Sequence, residues 1–278
     1  MQYIERVIGG VDGSEARLFG YVADNSPSMD PDRRRGSVLV VPGGGYAVTS
    51  DREAEPVALR FLAAGFNAFV LRYSVAPSRY PVALLELAEA VRMIRGHVDE
   101  WHVDPKSVAV LGFSAGGHLA ASLAVGVGAD VLREAGYNHA DVRPDALLLG
   151  YPVVFSSGVH AHRGSFSALL GADANDVDSL GRQSIIQYVD ADMPPVFVWH
   201  TMTDTSVPVE NTLALIAACR QAGVSVEAHL YPEGPHGLSL GDWETSGRGR
   251  YAKIVPCVQS WPGLAVDWLR RTLPARSC

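Results

Sequence analysis

From residue 37 onward, short runs rich in valine, leucine and phenylalanine alternate with helical patterns. This rhythm narrows the fold more than any other feature of the chain. The runs are "SVLVVP" (37–42), "NAFVLRY" (67–73), "SVAVLGF" (107–113), "DALLLGY" (145–151), "PVFVWHT" (195–201) and "VSVEAHLY" (224–231). Most lack a regular polar–apolar alternation, as strands do when both faces of a parallel sheet are covered. Ser50-Asp51-Arg52-Glu53 has the S-x-x-E form of a capping box. It predicts a helix whose first N–H groups are met by the Ser50 hydroxyl and the Glu53 carboxylate, and which ends at Gly65. A second helix is expected from about Pro81, with Leu84, Leu87, Ala88, Val91 and Ile94 on one stripe. Others start at Ser114 and near Val209, and a last one covers 264–271. Strands alternating with helices imply right-handed crossovers, hence a mostly parallel sheet with helices on both faces. The opening stretches "YIERVI" and "EARLFGYVA" alternate better and predict an antiparallel hairpin at one edge.

With 278 residues the chain is long enough for one large α/β domain, expected to span residues 1–278. Its formal net charge of -7 disfavours nucleic acid or an anionic membrane as partner, since both need a basic face. No uncharged apolar stretch reaches membrane-spanning length. The start, "MQYIERVIGG", lacks the pattern of a secretory signal. The odd, sparse cysteines Cys219, Cys257 and Cys278 fit free thiols in a reducing compartment, so a cytoplasmic location is expected. Cys219 falls in a helical pattern and reads as packing. The run Arg33–Arg35 reads as a solvated turn. A homo-oligomer is left open.

Gly112-Phe113-Ser114-Ala115-Gly116 matches G-x-S-x-G between an apolar strand and an alanine-rich helix. A serine nucleophile needs a sharp, strained strand-to-helix turn that lifts its hydroxyl above the sheet. Side chains two residues to either side would collide there, hence glycines. The N-terminus of the following helix offers N–H groups and a positive dipole end to a developing oxyanion. Upstream, "VVPGGGYAV" (40–48) places three glycines after a strand, where a second oxyanion donor belongs; no G-K-[ST] follows, which disfavours a phosphate loop. The expected donors are Ala115 N–H and one from Gly43–Gly45, with Gly44 foremost and Gly43 the alternative.

A serine hydroxyl needs a base, and the base an orienting carboxylate. His236 lies in "YPEGPHGLS", a loop directly after the last strong strand, where a base can reach the hydroxyl. Asp204, in "HTMTDTSVPVENT", follows the preceding strand. The order Ser, Asp, His is that of α/β-hydrolases. Among the other histidines, His118 reads as packing or support on the serine helix, and His200 as buried support. His160 and His162 form an H-x-H without an accompanying ligand cluster.

At this point the chain resembles a known family. "PGGGY", "DREAEPVALRFLAAGFNAFVLRYSVAP", "GFSAGGHLAA", "HTMTDTSVPVENT" and "YPEGPHG" are similar to the bacterial acetyl-esterase and acetylxylan-esterase branch of the α/β-hydrolase superfamily. The resemblance runs from about residue 37 to 236, with an echo in "WPGLAVDWL". It implies Ser114 as nucleophile, Asp204 as orienting acid, His236 as base, and Gly44 and Ala115 as oxyanion donors. Pro42 stands where lipase-type H-G-G-G loops carry their histidine. The implied chemistry is acyl transfer through an acyl-enzyme, which needs no metal or organic cofactor. Only roughly forty residues separate the strand ending at Tyr151 from the next, so a minimal lid and an open site are expected. That favours a short acyl group such as acetyl on a bulkier alcohol such as a xylo-oligosaccharide. Tyr46, Tyr73, Arg52 and Trp243 are candidates for the pocket border. An arylformamidase or peptidase with the same triad, or a non-catalytic binding module of the same fold, are the alternatives.

Overall fold

The computed structural model describes residues 1–249 and 253–273. Cys278 and the 250–252 part of the glycine-rich stretch after Leu240 lie outside the described residues. The strands are β1 (Gln2–Gly9), β2 (Glu15–Val22), β3 (Arg35–Val41), β4 (Asn67–Arg72), β5 (Val103–Phe113), β6 (Ala146–Gly150), β7 (Val196–Thr201) and β8 (Val226–Tyr231). The helices are α1 (Glu55–Ala63), α2 (Val82–Gly96), α3 (Ser114–Val125), α4 (Ala129–Glu134), α5 (His139–Val142), α6 (Arg163–Leu170), α7 (Val177–Gly181), α8 (Glu210–Ala222) and α9 (Trp261–Thr272). Among the described residues, the eight strands form one sheet in the order β1-β2-β4-β3-β5-β6-β7-β8.

The expected edge hairpin is present: β1 pairs antiparallel with β2, and β2 antiparallel with β4. Every later pair is parallel. Strands β3, β6 and β7 are buried at every position, because helices cover both faces. One core packs α2 and α3 against one face, around Leu39, Leu71, Val110 and Leu149. The other packs α1 and α9 against the opposite face, around Phe61, Phe113, Trp199 and Trp261. This is the mostly parallel sheet with helices on both faces that the alternation implies, and it agrees with the α/β-hydrolase fold that the resemblance implies.

Two local expectations are corrected. The Ser50–Glu53 segment is not a capping box: Asp51–Glu53 forms a 3-10 turn, Ser50 makes no side-chain cap, and α1 begins only at Glu55. The Glu53 carboxylate finds tertiary partners instead. The run Arg33–Arg35 is not wholly solvated: Arg35 opens β3, is buried, and donates to Asn25 Oδ1. Among the described residues, no helix is long and apolar enough to cross a membrane.

Candidate active site

The parallel strands end at one edge of the sheet, and there the loops after β3, β5, β7 and β8 converge. Ser114 follows β5 directly and is held at φ +52, in the left-handed region that non-glycine residues rarely occupy. Such strain persists only where the surroundings over-determine it. They do so here through close packing under the turn. A side chain on Gly116 would overlap the carbonyl oxygens of Val41 and Pro42, and one on Gly112 the carbonyl of Gly116. The two glycines of G-x-S-x-G are therefore steric requirements of this turn.

Ser114 Oγ donates to His236 Nε2 at 2.7 Å, and His236 Nδ1 donates to Asp204 Oδ2 at 2.6 Å. The three residues named from sequence thus form one hydrogen-bonded chain. Asp204 is 6% exposed, while the His236 side chain keeps 21% of its surface open. Burial alone would push the Asp204 carboxyl up. Hydrogen bonds from His200 and His236, the charge of His236 and the Val207 N–H outweigh it and hold the group well below the usual carboxylate range. Asp204 Oδ1 is fixed by the N–H groups of Ser206 (2.9 Å) and Val207 (3.0 Å). An ionised Asp204 keeps the proton on Nδ1 and leaves Nε2 bare to accept from serine.

The loops bearing Asp204 and His236 are tied together. Thr201 Oγ1 donates to the Gly234 carbonyl at 2.8 Å, and Gly234 N–H donates to Thr203 Oγ1 at 2.9 Å. His200 is buried support, as expected: its Nε2 faces the Val207 carbonyl at 2.9 Å and Asp204 Oδ2 at 3.3 Å, while its Nδ1 meets Thr212 Oγ1 at 2.8 Å. His118 is also support. Its Nε2 donates to the Gln183 carbonyl at 2.8 Å, so its Nδ1 accepts from Tyr46 O–H at 2.8 Å. Burial pushes His118 down to about 4, so the ring is neutral near pH 7.

The glycine loop after β3 is clamped one peptide plane at a time. Tyr73 O–H donates to the Pro42 carbonyl at 2.8 Å, and Gly43 N–H donates to Glu53 Oε2 at 2.8 Å. Gly43 is thereby corrected as an oxyanion donor, because its N–H already serves a carboxylate. The Gly43 carbonyl accepts from Ser50 N–H at 2.9 Å. In a trans peptide the next N–H points the opposite way, so this bond fixes the direction of Gly44 N–H. The Gly44 carbonyl accepts from Ala47 and Val48, closing the turn. Gly44 itself has φ +130, which a side chain would not tolerate.

The remaining candidates fall into distinct roles. Tyr46 and Tyr73 are buried behind the glycine loop and serve as support. Arg52 donates to the carbonyls of Gly237 and Thr245, joining the histidine loop to the loop that carries Trp243. Trp243 is 78% exposed. His162 and His160 do not act as a pair. His162 Nδ1 caps α6 through Ser165, and burial together with the nearby charge of His236 lowers its proton affinity, while His160 tilts against Phe155. No group of three or more His, Cys, Asp or Glu that could hold a metal occurs among the described residues. Cys219 packs against Met193, and burial pushes its thiol up to about 11.

Sequence reasoning missed Glu53, Tyr151 and the threonines at 201 and 203. Tyr151 follows β6 at φ +37, sets its ring edge against His236 with centroids 4.9 Å apart, and donates to Glu53 Oε1 at 2.6 Å.

Sheet order, the strained serine after β5 and the hydrogen-bonded Ser–His–Asp chain above it define an α/β-hydrolase. Within that superfamily the chain belongs to the BD-FAE family, whose profile matches residues 27–218, and so to an esterase branch. Endo-1,4-beta-xylanase B of Butyrivibrio fibrisolvens is 36% identical over 235 residues, which make up 82% of this chain and 35% of that protein. The chain thus spans about a third of that relative's length. An acetyl ester-xyloside bifunctional hydrolase from Caldicellulosiruptor lactoaceticus matches at TM-score 0.78 and 35% identity, covering 92% of this chain and 88% of that one. The carboxylesterase Cest-2923 from Lactobacillus plantarum matches at TM-score 0.85 and 28% identity, covering 99% of this chain and all of that one.

Proposed function

We propose that the chain is a serine carboxylesterase that removes short acyl groups, acetyl foremost, from carbohydrate. The observation that carries this reading is the unbroken hydrogen-bond path from Ser114 Oγ through His236 to an ionised Asp204. In it, Ser114 Oγ attacks the ester carbonyl as His236 Nε2 takes its proton. The tetrahedral oxyanion is held by the N–H groups of Gly44 and Ala115, a strong donor of this kind being worth about 3–4 kcal/mol. His236 then protonates the leaving alcohol, and water repeats both steps on the acyl-enzyme. All 278 residues act as one domain in this reading, and the free thiols favour a reducing, cytoplasmic setting.

Carbohydrate as the alcohol is supported by the acetyl ester-xyloside hydrolase relative and by Trp243. An exposed indole on a loop anchored to the histidine loop is suited to stack on the apolar face of a sugar ring. The test is a panel of p-nitrophenyl acetate, p-nitrophenyl butyrate, an acetylated xylo-oligosaccharide, N-formylkynurenine and a peptide amide, assayed on wild type and Trp243→Ala. Acetyl esters should show the highest kcat/KM. Trp243→Ala should raise KM for the acetylated oligosaccharide and leave p-nitrophenyl acetate unchanged. A preference for the formyl or peptide substrate would overturn the reading.

A further inference from the structure

We propose that the buried Glu53 carboxylate is a positioning residue that holds the oxyanion loop and the histidine loop in one register through Tyr151, an inference that rests on the esterase reading above. Ester hydrolysis needs Ser114 Oγ, the oxyanion donors and His236 Nε2 fixed relative to one another within a fraction of an ångström. The Gly44 donor and His236 sit on loops far apart in the sequence. Glu53 links them. It is 3% exposed, and each oxygen meets a different side of the site. Oε2 accepts from Gly43 N–H at 2.8 Å and Oε1 accepts from Tyr151 O–H at 2.6 Å.

The chain of contacts continues beyond Tyr151. Its hydroxyl oxygen accepts from Ser239 N–H at 2.9 Å, three residues past His236. Its ring edge bears on the His236 imidazole. Ser239 Oγ closes the circuit by donating to the carbonyl of Arg52, the residue before Glu53. Gly43 in turn lies against the nucleophile: a side-chain carbon added there would come 2.8 Å from both Glu53 Oε2 and the Phe113 carbonyl, and 3.0 Å from Ser114 Cβ. A shift of Gly43 is therefore felt at Ser114 and in the aim of the next peptide. A carboxylate buried this deeply is costly unless both oxygens are hydrogen-bonded, and here both are; an apolar side chain in its place would leave the Gly43 N–H and the Tyr151 O–H unmet. What the carboxylate adds is direction, imposed on two donors that come from different loops.

The variants Glu53→Gln and Tyr151→Phe and their combination test this. The glutamine side chain keeps the shape but presents an amide NH2 to one of two donors. Glu53→Gln should lower kcat for p-nitrophenyl acetate about ten- to a hundredfold, with KM within about threefold. Affinity for phenylboronic acid, whose tetrahedral adduct uses the oxyanion donors, should fall in step with kcat/KM. A residue that acted only through stability would not move it. The double variant should lose no more than the worse single variant, because both act through one chain. A Glu53→Gln protein with native circular dichroism and kcat within about threefold of wild type overturns the proposal, as do losses that multiply in the double variant. If Glu53→Gln does not fold, Tyr151→Phe carries the same kinetic and boronate readouts alone. A wild type inert toward every ester refutes the esterase reading itself; an active wild type with an unimpaired Glu53→Gln refutes only this inference.

Discussion

Replacing Asp204 by asparagine separates orientation from charge at the site. The carboxylate makes two kinds of contact: Oδ1 accepts the Ser206 and Val207 N–H groups, and Oδ2 accepts from His236 Nδ1 with His200 Nε2 at 3.3 Å. Asparagine has one oxygen to offer. Turning its NH2 toward the two backbone N–H groups would leave both buried donors unmet, at about 1–3 kcal/mol each. The amide oxygen therefore stays on the backbone side and the NH2 faces His236. Two donors then oppose each other, and the conflict is relieved when the imidazole moves its proton to Nε2. A ring protonated there cannot take the Ser114 proton. The expected loss is about 10⁴-fold in kcat, or about 5.5 kcal/mol of transition-state stabilisation. Initial rates with p-nitrophenyl acetate, alongside a urea melt, measure both consequences. A variant of native stability whose kcat falls less than about tenfold would refute the reasoning, since tautomer control by Asp204 could not then matter.

Two further outcomes follow from the packing and the buried histidine. Gly116→Ala should destabilise the fold by about 3 kcal/mol or more, because the added methyl overlaps backbone carbonyls that have nowhere to go; a thermal midpoint within about two degrees of wild type would show that the turn has slack. His118, pushed down to about 4 from an ordinary 6.5, binds its proton in the unfolded chain well before it does so in the fold. Its contribution to stability is complete above pH 6.5 and is lost as pH falls from there toward 4, amounting to about 3 kcal/mol over the window. Urea midpoints taken across that range should fall with acidification. His118→Phe should flatten the slope while lowering stability at every pH, and an unchanged slope would contradict the assignment.

Much of this architecture was legible because its causes are local or patterned. Strands covered on both faces have a distinctive composition, and β3 to β8 fall within a few residues of the apolar runs. The edge hairpin followed from alternation in "YIERVI" and "EARLFGYVA". Ser114 was readable because the steric demand for small neighbours acts within two residues of it. Asp204 and His236 were readable through their places after successive strands. Glu53 was not. The S-x-x-E spacing describes a short-range pair, and nothing in it reveals that Gly43 and Tyr151, brought close only by the folded sheet, compete for the carboxylate and win. The sequence could place Gly44 ahead of Gly43 but could not show why, because the occupation of the Gly43 N–H by Glu53 is decided by the same folded neighbours. Thr201 and Thr203, which lash the loops of Asp204 and His236 together, look like ordinary strand-end residues until Gly234 is placed beside them.

Covalent capture by a fluorophosphonate probe, read as intact mass and located by peptide mapping, tests most directly whether Ser114 is an activated nucleophile. One adduct per chain, on the peptide containing Ser114 and absent from Ser114→Ala, is the predicted result. A wild type that stays unlabelled, or an adduct that persists in Ser114→Ala, would contradict it.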